Sequence, residues 1–225
     1  MRLWNPYLDF FQALPASFRR DPSIPPSAAE LTAPDWLALK IAIARHFAWA
    51  VPTEEAITCI RKHAAGVVEV GAGSGYWSWL MRQAGIVVAA FDRDAPPFTW
   101  TEVGRGDERV AHDHPDKALF LCWPPWSSSM AVDALTAHRG EYLVYVGEWM
   151  GGAADAHFFA LLVSYFDCID LVAIPQWYMR DDRLMVFRRR APSSWSPPRD
   201  RVPEIVNHSR VNHPRDIISG AWYWR

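Results

Sequence analysis

The stretch Val67-Val68-Glu69-Val70-Gly71-Ala72-Gly73-Ser74-Gly75 decides the fold that we expect this chain to adopt. It starts as a short, β-branched apolar run, which is typical of a buried strand. Three glycines at alternate positions follow directly; glycine permits positive φ and lets a ligand approach the main chain closely. A helix pattern over residues 76–84 comes next, and a helix N-terminus favours an anionic group. The stretch therefore predicts a strand, a ligand-binding loop and a helix.

Further apolar runs alternate with helix patterns along the rest of the chain. Besides 67–70, the predicted strands are 86–92, 99–107, 118–122, 141–147, 168–174 and 183–189. Strands that are apolar throughout and separated by helices indicate a parallel sheet covered on both faces. The connection between the last two strands is too short for a helical crossover, so the last strand should run antiparallel. We expect an α/β, Rossmann-like sheet of seven mostly parallel strands.

Three regions follow from this pattern. Residues 1–65 are predicted as an N-terminal helical cap, residues 66–190 as the Rossmann-like core, and residues 191–225 as a tail rich in Pro and Arg. From residue 188 onward the chain has eight Arg against three acidic residues, a local charge of +5, which leaves −7 on the remainder. The tail ends in an apolar cluster, so we expect it to pack on the core or on a partner subunit.

Composition narrows the class of protein. The 225 residues have a net charge of −2, which argues against nucleic acid as a partner, and no apolar run is long enough to predict a membrane span. The N-terminus lacks a signal-peptide pattern, and three widely spaced cysteines form neither a zinc pattern nor a disulfide framework. We expect a cytoplasmic protein without a metal. The 13 Trp residues are either a composition bias or the lining of a pocket for a flat ligand.

The acidic residues around the glycine loop indicate which ligand it binds. Asp92 closes the second predicted strand, where an acidic side chain accepts hydrogen bonds from ribose hydroxyls in nucleoside-binding folds. The loop spacing is G-x-G-x-G, with Glu69 two residues before Gly71. This combination resembles motif I of the class I S-adenosylmethionine-dependent methyltransferases, over about residues 35–190. Arg93 follows Asp92 and keeps NADP open as an alternative, because an Arg there can bind a 2′-phosphate.

The resemblance implies a role for each cofactor-binding candidate. The loop would wrap the methionine part of S-adenosylmethionine, Glu69 would orient its amino-acid end, Asp92 would bind the ribose and Asp107 the adenine amino group. A surface turn is the alternative for Asp107. The complete set of predicted cofactor-binding residues is Glu69, Gly71, Ala72, Gly73, Gly75, Asp92, Arg93, Asp107 and Cys122. S-adenosylhomocysteine would be the product.

The segment Trp123-Pro124-Pro125-Trp126 follows the fourth predicted strand, at the edge where open α/β sheets bind ligands. It is similar to the (N/D/S)PP(Y/F/W) motif of methyltransferases that act on exocyclic amino groups of bases. Trp123 departs from that motif, because its indole cannot accept a hydrogen bond from an amine. An aromatic-lined pocket remains, for which we predict the substrate-binding residues Trp123, Pro124, Trp126, Trp49 and Trp149. Loop rigidity and core filling are the alternative.

Glu148, at the end of the fifth predicted strand, is the candidate general base or substrate-amine anchor, with a solvated carboxylate or a helix cap as the alternative. His46, His112, His114 and His157 are further base candidates by residue type alone.

These features together predict an S-adenosylmethionine-dependent methyltransferase that acts on a small molecule, with an aromatic or natural-product intermediate as the suggested substrate. A nucleic-acid N-methyltransferase, a non-methylating enzyme and a non-catalytic S-adenosylmethionine-binding protein remain alternatives. The expected partners are the small-molecule substrate and, as an open alternative, a second copy of the chain.

Overall fold

A computed structural model describes residues 3–19 and 34–190 of the chain. The strands are β1 (Gly66–Val70), β2 (Val87–Asp92), β3 (Gly104–Arg105), β4 (Ala118–Cys122), β5 (Tyr142–Glu148), β6 (Phe166–Ala173) and β7 (Asp182–Arg189). The α-helices are α1 (Pro6–Ala13), α2 (Pro34–His46), α3 (Glu54–His63), α4 (Tyr76–Gln83), α5 (Met130–Ala137) and α6 (Ala156–Tyr165), and 3-10 helices span Ala16–Phe18 and Glu108–Asp113. Each described helix is too short or too polar to cross a membrane.

All seven strands form one sheet in the order β3-β2-β1-β4-β5-β7-β6. The strands β1 to β5 pair in parallel, whereas β7 runs antiparallel to both of its neighbours, β5 and β6. The predicted fold class is therefore confirmed, including the reversed last strand. The third strand was predicted over residues 99–107 and consists of two residues only. The strand order changes direction at β1, which has β2 on one side and β4 on the other. Ligands of open α/β sheets bind at such a point.

Helices cover both faces of the sheet. Side chains of β4 alternate between the two cores: Phe120 packs with α3 and α4, whereas Leu119 and Leu121 pack with α5 and α6. This period of two is the geometry of a strand that is buried on both faces. The helix α3 forms as its sequence predicts, because the Thr53 hydroxyl accepts a hydrogen bond from the Ala56 N–H at 3.1 Å and caps its N-terminus.

The helix α1 shares the core of the sheet. Tyr7 and Phe11 are buried, and the Trp177 indole donates a hydrogen bond to the Tyr7 hydroxyl at 3.0 Å. The Tyr76 hydroxyl, at the start of α4, donates to Asn5 at 2.8 Å and accepts from the Tyr7 N–H at 3.0 Å. These contacts join the N-terminal helix to α4, which follows the glycine loop. The predicted tail, residues 191–225, lies outside the described residues.

Candidate functional site

The glycine loop connects β1 to α4, and all three of its glycines adopt positive φ: +76° at Gly71, +54° at Gly73 and +72° at Gly75. A Cβ on Gly71 would lie 2.3 Å from Met130 Cε, and one on Gly75 would lie 2.7 Å from a Val103 methyl carbon. A Cβ on Gly73 would have nothing within 4 Å. A side chain at Gly75 would therefore clash with Val103, and one at Gly71 would displace the flexible end of Met130, whereas Gly73 leaves open space beside the main chain.

Asp92 and the loop lie together, at the carboxyl ends of adjacent strands. Its carboxylate accepts one hydrogen bond at each oxygen, from the Gly73 N–H at 2.7 Å and from the Asp94 N–H at 2.8 Å. A carboxylate oxygen has two acceptor positions, so Asp92 retains acceptor capacity for hydroxyl groups of a ligand. The loop conformation and the position of Asp92 are thus linked by a charge-assisted hydrogen bond.

A cleft of about 560 Å³ opens above these residues, bounded by the glycine loop, the end of β2, the turn before the 3-10 helix Glu108–Asp113, and the segment after β4. A volume of this size lies within the range of small-molecule and cofactor sites. The predicted site residues that line it are Glu69, Gly71, Ala72, Gly73, Asp92, Arg93, Asp107, Cys122, Trp123, Pro124 and Trp49. Most of the predicted cofactor-binding residues therefore share one cavity.

Glu69 is buried at the floor of the cleft, at the end of β1. The Ser78 hydroxyl of α4 donates a hydrogen bond to its Oε2 atom. Burial raises the pKa of the Glu69 carboxyl to about 8, against the opposing effects of the Ser78 hydrogen bond and the Arg82 charge. At neutral pH the carboxyl is therefore mainly protonated, and a cation placed beside it would favour loss of that proton.

Asp107 borders the cleft on the other side. It caps the 3-10 helix by accepting from the Arg109 N–H, and the Arg109 guanidinium contacts both of its oxygens, the shortest distance being 2.6 Å. The side-chain hydrogen bonds of Arg109 lower the pKa of the Asp107 carboxyl to about 2, so it is ionised at any working pH. Next to it, Arg93 pairs with Glu108 at 2.8 Å. Arg93 is therefore engaged with a carboxylate at this rim of the cleft.

Trp123 forms a wall of the cleft in an unusual backbone conformation. Its φ is +52°, which costs energy for a residue with a Cβ. Its N–H donates to the Val146 carbonyl at 2.8 Å, and its indole N–H donates to Asp182 Oδ1 at 2.7 Å. The Trp49 ring stacks against it with centroids 5.8 Å apart and planes 24° apart. Contacts at the main chain, the ring nitrogen and the ring face thus hold Trp123 in place.

Sequence reasoning missed two charged residues behind this wall. Lys40 of α2 is fully buried, its Nζ lies 4.4 Å from the centroid of the Trp123 ring, and it has no hydrogen-bond partner among the described residues. Asp182 is also fully buried, and its Oδ2 lacks a partner in the same described ranges. Burial lowers the pKa of Lys40 to about 8 and raises that of Asp182 to about 6. The only sequence signal was Lys40 itself, a single charge in the apolar run 36–44.

Four predicted site residues do not line the cleft. Gly75 lies under it and packs against Val103. Trp126 is 68% exposed, whereas Trp149 packs into the core against Phe159, with the ring centroids 5.1 Å apart. None of these three residues lines the cavity: Gly75 caps the start of α4, Trp126 points to solvent, and Trp149 faces the α6 side of the sheet.

Glu148 is the fourth of these residues. Its carboxylate accepts from the Gly152 N–H at 2.9 Å and the Asp181 N–H at 3.1 Å, and it lies 3.4 Å from Arg180 Nη1. It joins the turn after β5 to the start of β7. The role of Glu148 as a general base stays a prediction that this geometry does not support. The histidine candidates His46, His112, His114 and His157 are likewise absent from the described lining.

The comparisons with known proteins concern the fold. The chain matches no protein-family model, and its sequence matches no curated protein. Among solved structures it is similar to a Burkholderia thailandensis 1,6-didemethyltoxoflavin-N1-methyltransferase with bound S-adenosylhomocysteine, at 16% identity and a TM-score of 0.44, covering 72% of this chain and 92% of that one. A putative tRNA (m1A22) methyltransferase from Streptococcus pneumoniae is similar at 9% identity and a TM-score of 0.43, covering 62% and 71%.

A protein of the NADB-Rossmann superfamily from Streptococcus agalactiae is also similar, at 12% identity and a TM-score of 0.41, covering 62% of this chain and 70% of that one. Similarities at this level assign neither a family nor a substrate. The Rossmann-like fold rests instead on the strand order and the pairing of the sheet described above.

Proposed function

We propose that this chain is an S-adenosylmethionine-dependent methyltransferase that acts on a small, flat molecule. The observation that carries the proposal is the open space beside Gly73, whose N–H donates to Asp92 at the mouth of a cleft of about 560 Å³. The loop that resembles motif I therefore leaves room inside this cleft for a ligand close to the main chain.

The residues around the cleft fit the three parts of the cofactor. Loop main chain and Glu69 would hold the amino-acid end, because a carboxyl beside a ligand ammonium forms an ion pair once it has lost its proton. Asp92 would accept from the ribose hydroxyls with its remaining acceptor positions. Asp107, ionised and fixed by Arg109, would accept from the adenine amino group.

The other end of the cleft supports a flat acceptor. Trp49 and Trp123 both line it and stack on each other, and Pro124 continues the wall without a backbone N–H. The Trp123 indole nitrogen faces Asp182 rather than an acceptor amine. This arrangement favours ring stacking and apolar contact over hydrogen bonding to the amino group of a base.

Methyl transfer from this cofactor requires mainly that the protein hold the acceptor in line with the methyl group. Bound S-adenosylmethionine would supply a methyl group already activated by its sulfonium charge. The protein would align the acceptor through the Trp123 wall and exclude water from the cleft, which favours transfer. The carboxyl groups that line the cleft are proposed to bind the cofactor, and none of them has a proposed role as a base.

Calorimetric titration with S-adenosylhomocysteine, S-adenosylmethionine and NADP⁺ tests the cofactor. We expect micromolar binding of the first two and none of NADP⁺. Asp92→Ala should weaken binding by about 1.5–3 kcal/mol, the scale of lost charge-assisted hydrogen bonds. Asp113→Ala is the matched control, because Asp113 is an exposed carboxylate outside the cleft. A preference for NADP⁺, or equal binding by both variants, would overturn the cofactor assignment.

The acceptor class needs a separate measurement. The protein is incubated with S-adenosylmethionine and either the dialysable fraction of a bacterial extract or total tRNA, and S-adenosylhomocysteine is quantified. We expect product with the dialysable fraction alone. Product with tRNA alone would favour the nucleic-acid alternative, and binding without any product would favour a non-catalytic role.

A further inference from the structure

A cluster of three potential metal ligands lies away from the cleft, where α3 packs against the edge strand β6. Cys59 and His63 are four residues apart on α3 and therefore share one face of the helix. Asp170 faces them from β6, directly after an irregularity in the pairing of β6 with β7. The Cys59 Sγ, a His63 ring nitrogen and an Asp170 carboxylate oxygen all lie within 4.8 Å of one another.

We propose that Cys59, His63 and Asp170 bind a divalent transition metal of the zinc class. Thiolate, imidazole and carboxylate are the ligands that Zn²⁺ takes in proteins, whereas Mg²⁺ and Ca²⁺ take oxygen ligands and would not select a thiolate. Tetrahedral coordination at normal bond lengths separates neighbouring ligand atoms by roughly 3.3–3.6 Å. The three atoms therefore need to move by about 1 Å or less to surround one ion.

The surroundings of Asp170 orient it for this role. Its Oδ1 accepts from the Leu171 N–H at 3.0 Å, which leaves Oδ2 facing α3. There Oδ2 is 2.8 Å from His63 Nε2 and 2.9 Å from Lys62 Nζ. The Lys62 side chain is 67% exposed, so its ammonium can move into solvent when a metal takes the position beside Asp170.

A second thiol lies beside the cluster. Cys168, two residues before Asp170 on β6, donates from its Sγ to the Asp170 carbonyl at 3.6 Å. Because this thiol is engaged with that carbonyl, a water molecule would complete four-coordination. His63 is partly exposed at 15% of its side-chain surface, which provides an entry path for the ion.

The expected consequence is structural. A bound ion would fasten α3, which two residues separate from the central strand β1, to the strand β6 at one edge of the sheet. None of the three ligands lines the cleft. The proposal is therefore independent of the proposed methyltransferase activity.

Titration of the reduced, metal-free, untagged full chain with Co²⁺ and Zn²⁺ tests the site. We expect one Co²⁺ per chain with a thiolate-to-metal charge-transfer band in the near ultraviolet, and a Zn²⁺-dependent rise in the melting temperature. Cys59→Ser should abolish the band, and His63→Ala should weaken binding by about tenfold or more. Near-ultraviolet circular dichroism of the metal-free variants checks that they are folded.

His112→Ala is the matched control. His112 forms an exposed histidine–aspartate pair with Asp113 in a segment outside the cluster, and its removal should leave Co²⁺ binding unchanged. Folded Cys59→Ser protein that retains the charge-transfer band would overturn the proposal. A reduced wild-type chain that binds neither ion would also overturn it.

Discussion

Replacement of Gly73 by Ala separates the backbone requirement of the loop from its ligand-binding role. Gly73 has a φ of +54°, and an added Cβ would meet no atom within 4 Å. Its N–H, which donates to Asp92, is retained in alanine. The folding cost is therefore limited to placing a residue with a Cβ in the left-handed region, about 1–2 kcal/mol. For a domain of this size, such a loss lowers the melting temperature by about 2–8 °C.

Gly85 offers a matched control within the same chain. Its φ is +80°, its added Cβ would also meet nothing within 4 Å, and it lies outside the cleft lining. Gly85→Ala should therefore cost a similar amount of stability and leave ligand binding unchanged. Gly73→Ala places a methyl group in the space that the cofactor would occupy. We expect at least a tenfold loss of S-adenosylhomocysteine affinity, which is about 1.4 kcal/mol.

Urea unfolding and calorimetric titration of both variants give the two quantities. If Gly73→Ala binds S-adenosylhomocysteine as tightly as Gly85→Ala does, the cofactor does not occupy the space beside Gly73. Gly75→Ala should lose more stability than both in urea unfolding, because its Cβ would lie 2.7 Å from a Val103 methyl carbon and adds a steric cost to the backbone cost.

Two further predictions concern buried charges. Asp182→Ala leaves the Trp123 indole N–H and the Lys40 ammonium buried without this carboxylate, so the free energy of unfolding in urea should fall by about 3–5 kcal/mol. The double variant Lys40→Met/Asp182→Ala should lose less stability than the sum of the two single variants. Additive losses would show that the two charges do not interact. The pKa of Glu69, raised to about 8 in the folded chain, means that the folded state binds more protons than the unfolded state between about pH 4.5 and 8. Stability should therefore fall as pH rises through that window, and Glu69→Gln, which keeps an acceptor for Ser78, should flatten the fall; an unchanged pH profile would mean that the folded carboxyl is already ionised.

The sequence predicted the sheet because its signals are local. The run 67–70 and the equivalent runs in β4 and β5 are short and, apart from Glu69, apolar, which is typical of central parallel strands. The loop was also predictable from a local signal, because alternate glycines indicate positive φ and all three of them adopt it. The third strand was overestimated, because residues 99–107 have strand-like composition but pair with β2 over Gly104–Arg105 only.

The acceptor side of the cleft was less predictable, because it depends on contacts between distant residues. Trp123 adopts positive φ through its contacts with Val146 and Asp182, and propensity alone disfavours that conformation. The position of Trp149 depends on which face of the sheet the chain takes after β5, and it faces the core rather than the cleft. Periodicity indicates that such residues are near a strand end and does not indicate which cavity they face.

The most direct test of the account is a crystal structure of the chain with S-adenosylhomocysteine. We expect the ligand in the cleft of about 560 Å³, with its ribose hydroxyls within hydrogen-bond distance of Asp92. The amino-acid end of the ligand should lie against the main chain of Gly73. We also expect the sulfur to face the wall formed by Trp49 and Trp123. Ligand density elsewhere on the chain, or a cleft that stays empty at saturating ligand, would contradict the account.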